Sequence, residues 1–109
     1  MSDTSAEFVV VLVTVSGADA GARIAEALVT ERLAACVNVV GPIRSIYSWE
    51  NVLHREEEHL LLIKARGASF DALASRVRQL HSYATPEIIA VPISDGSEDY
   101  LQWLAAATK

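Results

Sequence analysis

Two adjoining apolar-rich runs, Ala34 to Trp49 (AACVNVVGPIRSIYSW) and Val52 to Arg66 (VLHREEEHLLLIKAR), constrain the fold more than any other stretch. Only Glu50-Asn51 separates them. Valine, isoleucine, tyrosine and tryptophan dominate the first run, and such side chains suit a pleated, half-buried surface. Its Gly41-Pro42 step fits no helix, because proline removes a donor and clashes with the preceding turn. The pair reads as one long β-hairpin.

Length gives this hairpin its meaning. At roughly 3.3 Å per residue, about 15 residues reach on the order of 50 Å. A compact chain of this size has a radius of gyration of about 13 Å, hence a diameter of roughly 35 Å. The tip is therefore expected to project beyond its own domain and to carry Ile46, Tyr47 and Trp49 with it. Apolar surface left in water costs about 25 cal/mol per Å². A second copy of the chain is the simplest cover. The plainer alternative ends one strand at Gly41-Pro42 and folds the rest back as a loop.

The remaining elements follow in order. Met1 to Ala6 is polar and expected to be disordered, leaving 7–109 as one domain. Phe8 to Val15 (FVVVLVTV) is nearly continuous apolar and predicts a central strand. Ser16-Gly17-Ala18-Asp19 has the form of a capping box, opening a helix from about Ala18 to Arg32. Ile24, Ala27 and Leu28 share its sheet-facing side. In the second hairpin strand, Leu60 to Ile63 is continuous apolar and should be central. Arg55-Glu56-Glu57-Glu58 is charged on both faces and should lie in solvent.

Ser69 is a candidate cap for a second helix running to about His81, with Asp71 in its first turn. Phe70, Leu73, Ala74, Val77 and Leu80 recur at helical spacing. Glu87 to Ile93 predicts a fourth strand, which Pro92 confines to an edge or a bulge. After the turn at Asp95-Gly96-Ser97, Tyr100, Trp103, Leu104 and Ala107 mark a last helix. The order β-α-β-β-α-β-α is an α+β, ferredoxin-like split βαβ plan with an added C-terminal helix. That plan centres the first and third strands. The apolar runs fall there, and the prolines fall in the second and fourth. The long second strand is then an edge at risk of aggregation, which closed pairing between copies would protect.

Composition narrows the function. A net charge of -5 argues against nucleic acid and anionic membrane surfaces, and is compatible with cations as partners. No apolar run approaches the roughly 18 residues of a membrane span. The opening MSDTSAEF lacks the pattern of a signal peptide, so the cytoplasm is the expected location. The single cysteine, Cys36, excludes an intrachain disulfide and is expected in the core.

Several blocks carry a resemblance. Ala34-Ala35-Cys36-Val37-Asn38, Ser45-Ile46-Tyr47-Ser48-Trp49 and Leu61-Leu62-Ile63-Lys64 resemble consecutive blocks of the CutA divalent-cation tolerance family. His81-Ser82-Tyr83-Ala84-Thr85-Pro86-Glu87 is similar to its His-Pro-Tyr-x-x-Pro-Glu block, and Tyr100-Leu101-Gln102-Trp103 to its closing Tyr-Leu-x-Trp. The match runs in order from Phe8 across nearly the whole chain. It implies a homotrimer related in shape to PII-type signalling proteins, copper(II) binding and a link to tolerance of divalent metals. Relatives proposed to bind copper carry a first-strand cysteine and two adjacent histidines. Here those positions hold Val13 and Leu80, and His81 alone remains.

Read residue by residue, His81 and Glu87 are the candidate metal ligands, for copper(II) or another divalent cation. The alternative is a local hydrogen-bonded motif around Tyr83. His54, Glu56 and Glu58 alternate along a strand and could hold a cation loosely, or form a solvated face. Tyr47, Trp49 and Trp103 suit a subunit contact or a ligand pocket. Lys64 could pair with a carboxylate such as Glu87, or bind an anion in an intersubunit cleft. No G-x-S-x-G, P-loop or G-x-G-x-x-G occurs, so an enzyme is not expected. Three readings stand: a trimeric metal-responsive protein, a PII-like module for a small anion with Lys64, Tyr83 and the His81–Glu87 region as its wall, and a scaffold trimer without its own ligand.

Overall fold

Strand β1 (Phe8–Val15) hydrogen-bonds on both sides, antiparallel to the hairpin's second strand and to the last strand of the chain. The computed structural model describes residues 6–109. Its order is β1, α1 (Ala18–Thr30), β2 (Cys36–Trp49), β3 (Val52–Arg66), a 3-10 turn (Gly67–Ser69), α2 (Phe70–Leu80), β4 (Ile88–Pro92) and α3 (Glu98–Ala107). The sheet order is β2-β3-β1-β4, so the two continuous apolar runs are central, and Pro42 and Pro92 lie in edge strands. This is the expected ferredoxin-like arrangement. The disorder expected for Met1 to Ala6 falls outside the described residues, except at Ala6, which packs against the core.

Alternation along the strands divides the sheet into two faces. Val11, Val13, Val15, Leu61 and Ile63 point to one face and pack on Ile24 and Leu28 of α1 and Leu73 and Val77 of α2. On the other face a helix covers one end, where Leu104 of α3 packs on Phe8 and Ala35. Arg66 holds this helix in place, its guanidinium donating to the Ala105 carbonyl (2.7 Å) and the Thr108 hydroxyl (3.0 Å). Among the described residues the rest of that face carries no helix. Val10, Leu12, Leu60 and Leu62 are half-buried there, and Val40, Ile89 and Val91 are exposed.

The hairpin is continuous to its tip. Register runs from Cys36↔Lys64 to Trp49↔Val52, which excludes the alternative in which the chain folds back at Gly41-Pro42. Glu50 and Asn51 both have positive φ, 52° and 65°, the signature of a two-residue type I′ turn. Gly41-Pro42 forms a bulge: Val40 pairs with Leu60 and Ile43 with Glu58. At Gly41 (φ 157°) an added Cβ would meet the His59 ring at 2.7 Å, so only glycine fits. The bulge changes which β2 residues face the helix-free side. Cys36, Asn38 and Val40 do so before it, and Ser45, Tyr47 and Trp49 after it. The molecule measures 44 × 32 × 24 Å, and the ribbon leaves Ile46 62% and Trp49 52% exposed.

Local caps differ from expectation. The N-cap of α1 is Gly17, with no side-chain bond from Ser16, and α1 ends at Thr30 instead of Arg32. Arg32 has φ 61°, and its guanidinium turns to the Ala106 and Ala107 carbonyls at the end of α3. Ser69 is the N-cap of α2 by position but makes no capping bond, because it already belongs to the 3-10 turn. Cys36, expected in the core, is half-buried: its edge-strand position faces the helix-free side.

Candidate functional site

The β3 residues His54, Glu56 and Glu58 share the helix-free side of the ribbon, as their spacing requires. The bulge brings Tyr47 opposite His54. The two rings stack with centroids 5.0 Å apart and an interplanar angle of 11°. The Tyr47 hydroxyl donates to Glu56 Oε1 at 2.7 Å. One step down the strand, Glu58 accepts from the Tyr83 hydroxyl through Oε2 at 2.8 Å.

Tyr83 comes from the connection between α2 and β4, and His81 fixes it there. The His81 amide donates to Val77 O at 2.8 Å, closing α2. Its Nδ1 accepts from the Tyr83 amide (3.1 Å), so Nε2 carries the ring hydrogen and donates to Thr14 O (2.7 Å). The His81 and Tyr83 rings lie 4.6 Å apart. One imidazole thus ties the connection to the end of β1 and aims the phenol at β3.

Glu58 is 5% exposed. This corrects the expectation that the Arg55–Glu58 stretch lies wholly in solvent. Burial and the Glu58 carboxylate raise the Tyr83 phenol well above its ordinary value, burial being the larger cause. The hydrogen bond to Glu56 raises the Tyr47 phenol. In both cases ionisation would put a second negative charge beside a carboxylate.

Tyr47, Trp49, Glu56, Glu58, Tyr83 and Glu87 line one open cleft, whose remaining lining residues include no lysine or arginine. Four of the residues expected from the sequence therefore meet: Tyr47, Trp49, Tyr83 and Glu87. His81 stands behind them and holds Tyr83. Lys64 does not reach Glu87. It sits opposite Val10, while Ile88 sits opposite Val13, roughly 10 Å along the sheet. Its ammonium donates to Asn38 Oδ1 instead. Trp103 lies apart as well, on α3, its ring 5.5 Å from Tyr100.

As a metal centre the arrangement fits poorly. Both His81 ring nitrogens are engaged, and Glu56 and Glu58 each bind a phenol through one oxygen. Among the described residues no group of three His, Cys, Asp or Glu side chains is placed to hold a metal ion. Among them, no helix is long and apolar enough to cross a membrane. Glu58 is the site residue that sequence reasoning undervalued. Its signal was phase: it alternates with Leu60 and Leu62 on one face of a strand whose inner half is central.

Comparison with known proteins follows the same lines. The family model described as CutA1 divalent ion tolerance protein matches residues 9–107. A divalent-cation tolerance protein CutA of Thermus thermophilus is 48% identical over 99 residues, covering 91% of this chain and 96% of that protein. The chloroplastic protein CutA 1 of Oryza sativa is 44% identical over 99% of this chain, which spans 61% of that relative's length. A chloroplastic CutA of Arabidopsis thaliana is 45% identical, and the chain spans 56% of it. Among solved structures, a divalent cation tolerance protein from Thermus thermophilus superposes with a TM-score of 0.92 at 46% identity, covering 94% of this chain and 99% of that one. CutA1 from Oryza sativa gives 0.92 at 44% identity, covering 98% of each chain.

Proposed function

Because this chain belongs to the CutA1 divalent ion tolerance family, we propose that it acts as a homotrimeric binding protein in the response to divalent metal ions, with its ligand held in the cleft beside Glu58. The observation that carries the assembly is the helix-free face of the sheet. Val40, Ile89 and Val91 lie exposed on it, and Ile46, Trp49, Val52 and Leu53 extend exposed apolar surface onto the ribbon. Apolar surface on this scale marks an interaction site. Among the described residues both sheet edges are also unpaired, β2 on one side and β4 on the other. Edge meeting edge around a closed ring would satisfy both.

In this reading the divalent cation is an exchangeable ligand. His81 and Glu87 are the pair the sequence offers to copper(II) or another divalent ion. A metal on His81 must displace either the Thr14 carbonyl or the Tyr83 amide from the ring. That competition makes the affinity low and couples metal uptake to release of Tyr83. A basic-walled anion site is disfavoured by Lys64, which pairs with Asn38 away from the cleft. The test is calorimetric titration of the purified protein with copper(II) chloride. Weak saturable binding that His81→Ala removes supports the reading. Silence at millimolar copper counts against the metal.

A further inference from the structure

His59 carries the one buried side-chain polar atom among the described residues that has no hydrogen-bond partner, its ring nitrogen Nδ1. Such atoms are rare in folded chains and demand a reason. The residue points to the helical side of the sheet, opposite to Glu58, and so stays off the face proposed for assembly. The bulge sets its surroundings. The ring lies over Gly41, where an added Cβ would meet Cδ2 at 2.7 Å and Cγ at 2.8 Å. That contact puts the Cδ2 edge against the glycine and turns Nδ1 away from it. On its other flank His59 stands opposite Val15. The start of α1 closes over the site, since Gly21 approaches both Val15 and Leu61.

Protonation is the event that this nitrogen has no means to absorb. Neutral imidazole can keep its single hydrogen on Nε2 and leave a bare lone pair on Nδ1. Imidazolium must donate from both nitrogens, and a buried N–H without an acceptor is costly. The charged groups around the ring do not offset this. On β3, Glu57 shares its face two positions away, but Arg44 of β2 stands directly opposite that carboxylate. The β1 strand carries no titratable side chain. Helix α1 brings Asp19, Arg23 and Glu26, all exposed, and presents its amino end, the positive pole of its dipole. Among the described residues the one ion pair is Arg76–Glu31, so no carboxylate pairs with His59.

We propose that His59 is a proton-operated latch on the Gly41-Pro42 bulge. Neutral, the ring wedges against Gly41 and holds the register in which Tyr47 and Trp49 line the cleft. Protonated, it turns out to solvent, which its half-buried position allows, and the bulge loosens. The bulge fixes the phase of the ribbon beyond it. One proton at His59 therefore changes where Tyr47 and Trp49 stand, with no ligand involved. The latch acts within the ribbon of each chain and holds whether or not copies assemble.

The test is a titration of the full isotope-labelled chain by nuclear magnetic resonance from about pH 8 to about pH 5, the range of imidazole ionisation. The Gly41 and Ile43 amides are expected to shift along one curve with the His59 ring, and the Trp49 indole N–H to follow. His59→Leu should abolish the Gly41 and Ile43 responses. His54→Gln, which removes the imidazole stacked on Tyr47, should leave them in place. The His81 ring gives its own signal and is followed separately. If His59→Leu does not fold, the shared curve in the parent chain carries the test. The latch is overturned by a His59 ring that stays neutral down to pH 5, or by Gly41 and Ile43 amides that hold still while it titrates. Shifts that persist in His59→Leu, or vanish in His54→Gln, overturn it as well.

Discussion

The Tyr83 hydroxyl donates to Glu58 Oε2 at 2.8 Å, joining the connection before β4 to the middle of the ribbon. The bond spans 25 positions of sequence and closes the floor of the cleft. Tyr83→Phe leaves the buried carboxylate without a donor among the described residues. The expected loss is about 1.5–3 kcal/mol of folding stability. Tyr83→Phe, Glu58→Gln and their combination form a double-mutant cycle. Chemical denaturation should show strong coupling between the two sites.

The same phenol sets an alkaline limit. Its folded value lies above the ordinary value of 10.0, chiefly through burial and then through Glu58. The folded state therefore keeps the proton where the unfolded state has lost it. Stability is full below about pH 10 and falls as pH rises beyond it. Thermal melts at stepped alkaline pH should show this decline, and Tyr83→Phe should flatten it.

Gly41 tests the bulge. A methyl group there meets the His59 ring at 2.7 Å from a backbone that side chains rarely adopt. Gly41→Ala is expected to cost about 1–3 kcal/mol by overpacking. The bulge also sets the phase of Tyr47 and Trp49, so the aromatic signal of the cleft should change in circular dichroism. A substitution at Gly17, where an added Cβ meets nothing within 4 Å, should do neither.

The helix-free face predicts a graded response to charge. Ile89 and Val91 are exposed on β4 within one chain. Ile89→Glu should leave the fold of a single chain intact and convert the assembly to monomers, seen by light scattering after size exclusion. Arg23→Glu, on the exposed side of α1, should leave the assembly unchanged.

Most of the fold was legible because its signals are local. The β1 run, the hairpin and its Glu50-Asn51 turn lie where periodicity and turn chemistry put them. Strand order followed from the placement of apolar runs and prolines. The candidate site was legible only in part. Tyr47, Trp49, Tyr83 and Glu87 converge, but Glu58 looked solvated because its own neighbours are Arg55, Glu56 and Glu57. Tyr83, distant in sequence, buries it. Lys64 and Glu87 lie on different levels of the sheet, a fact held by register and not by composition. Ser16 resembled a cap, yet Gly17 takes that position.

Sedimentation equilibrium of the purified protein at micromolar concentration tests the central claim most directly. The account predicts the mass of three chains, unchanged on dilution across that range and independent of added copper(II). A single-chain mass with the ribbon exposed to solvent would contradict it.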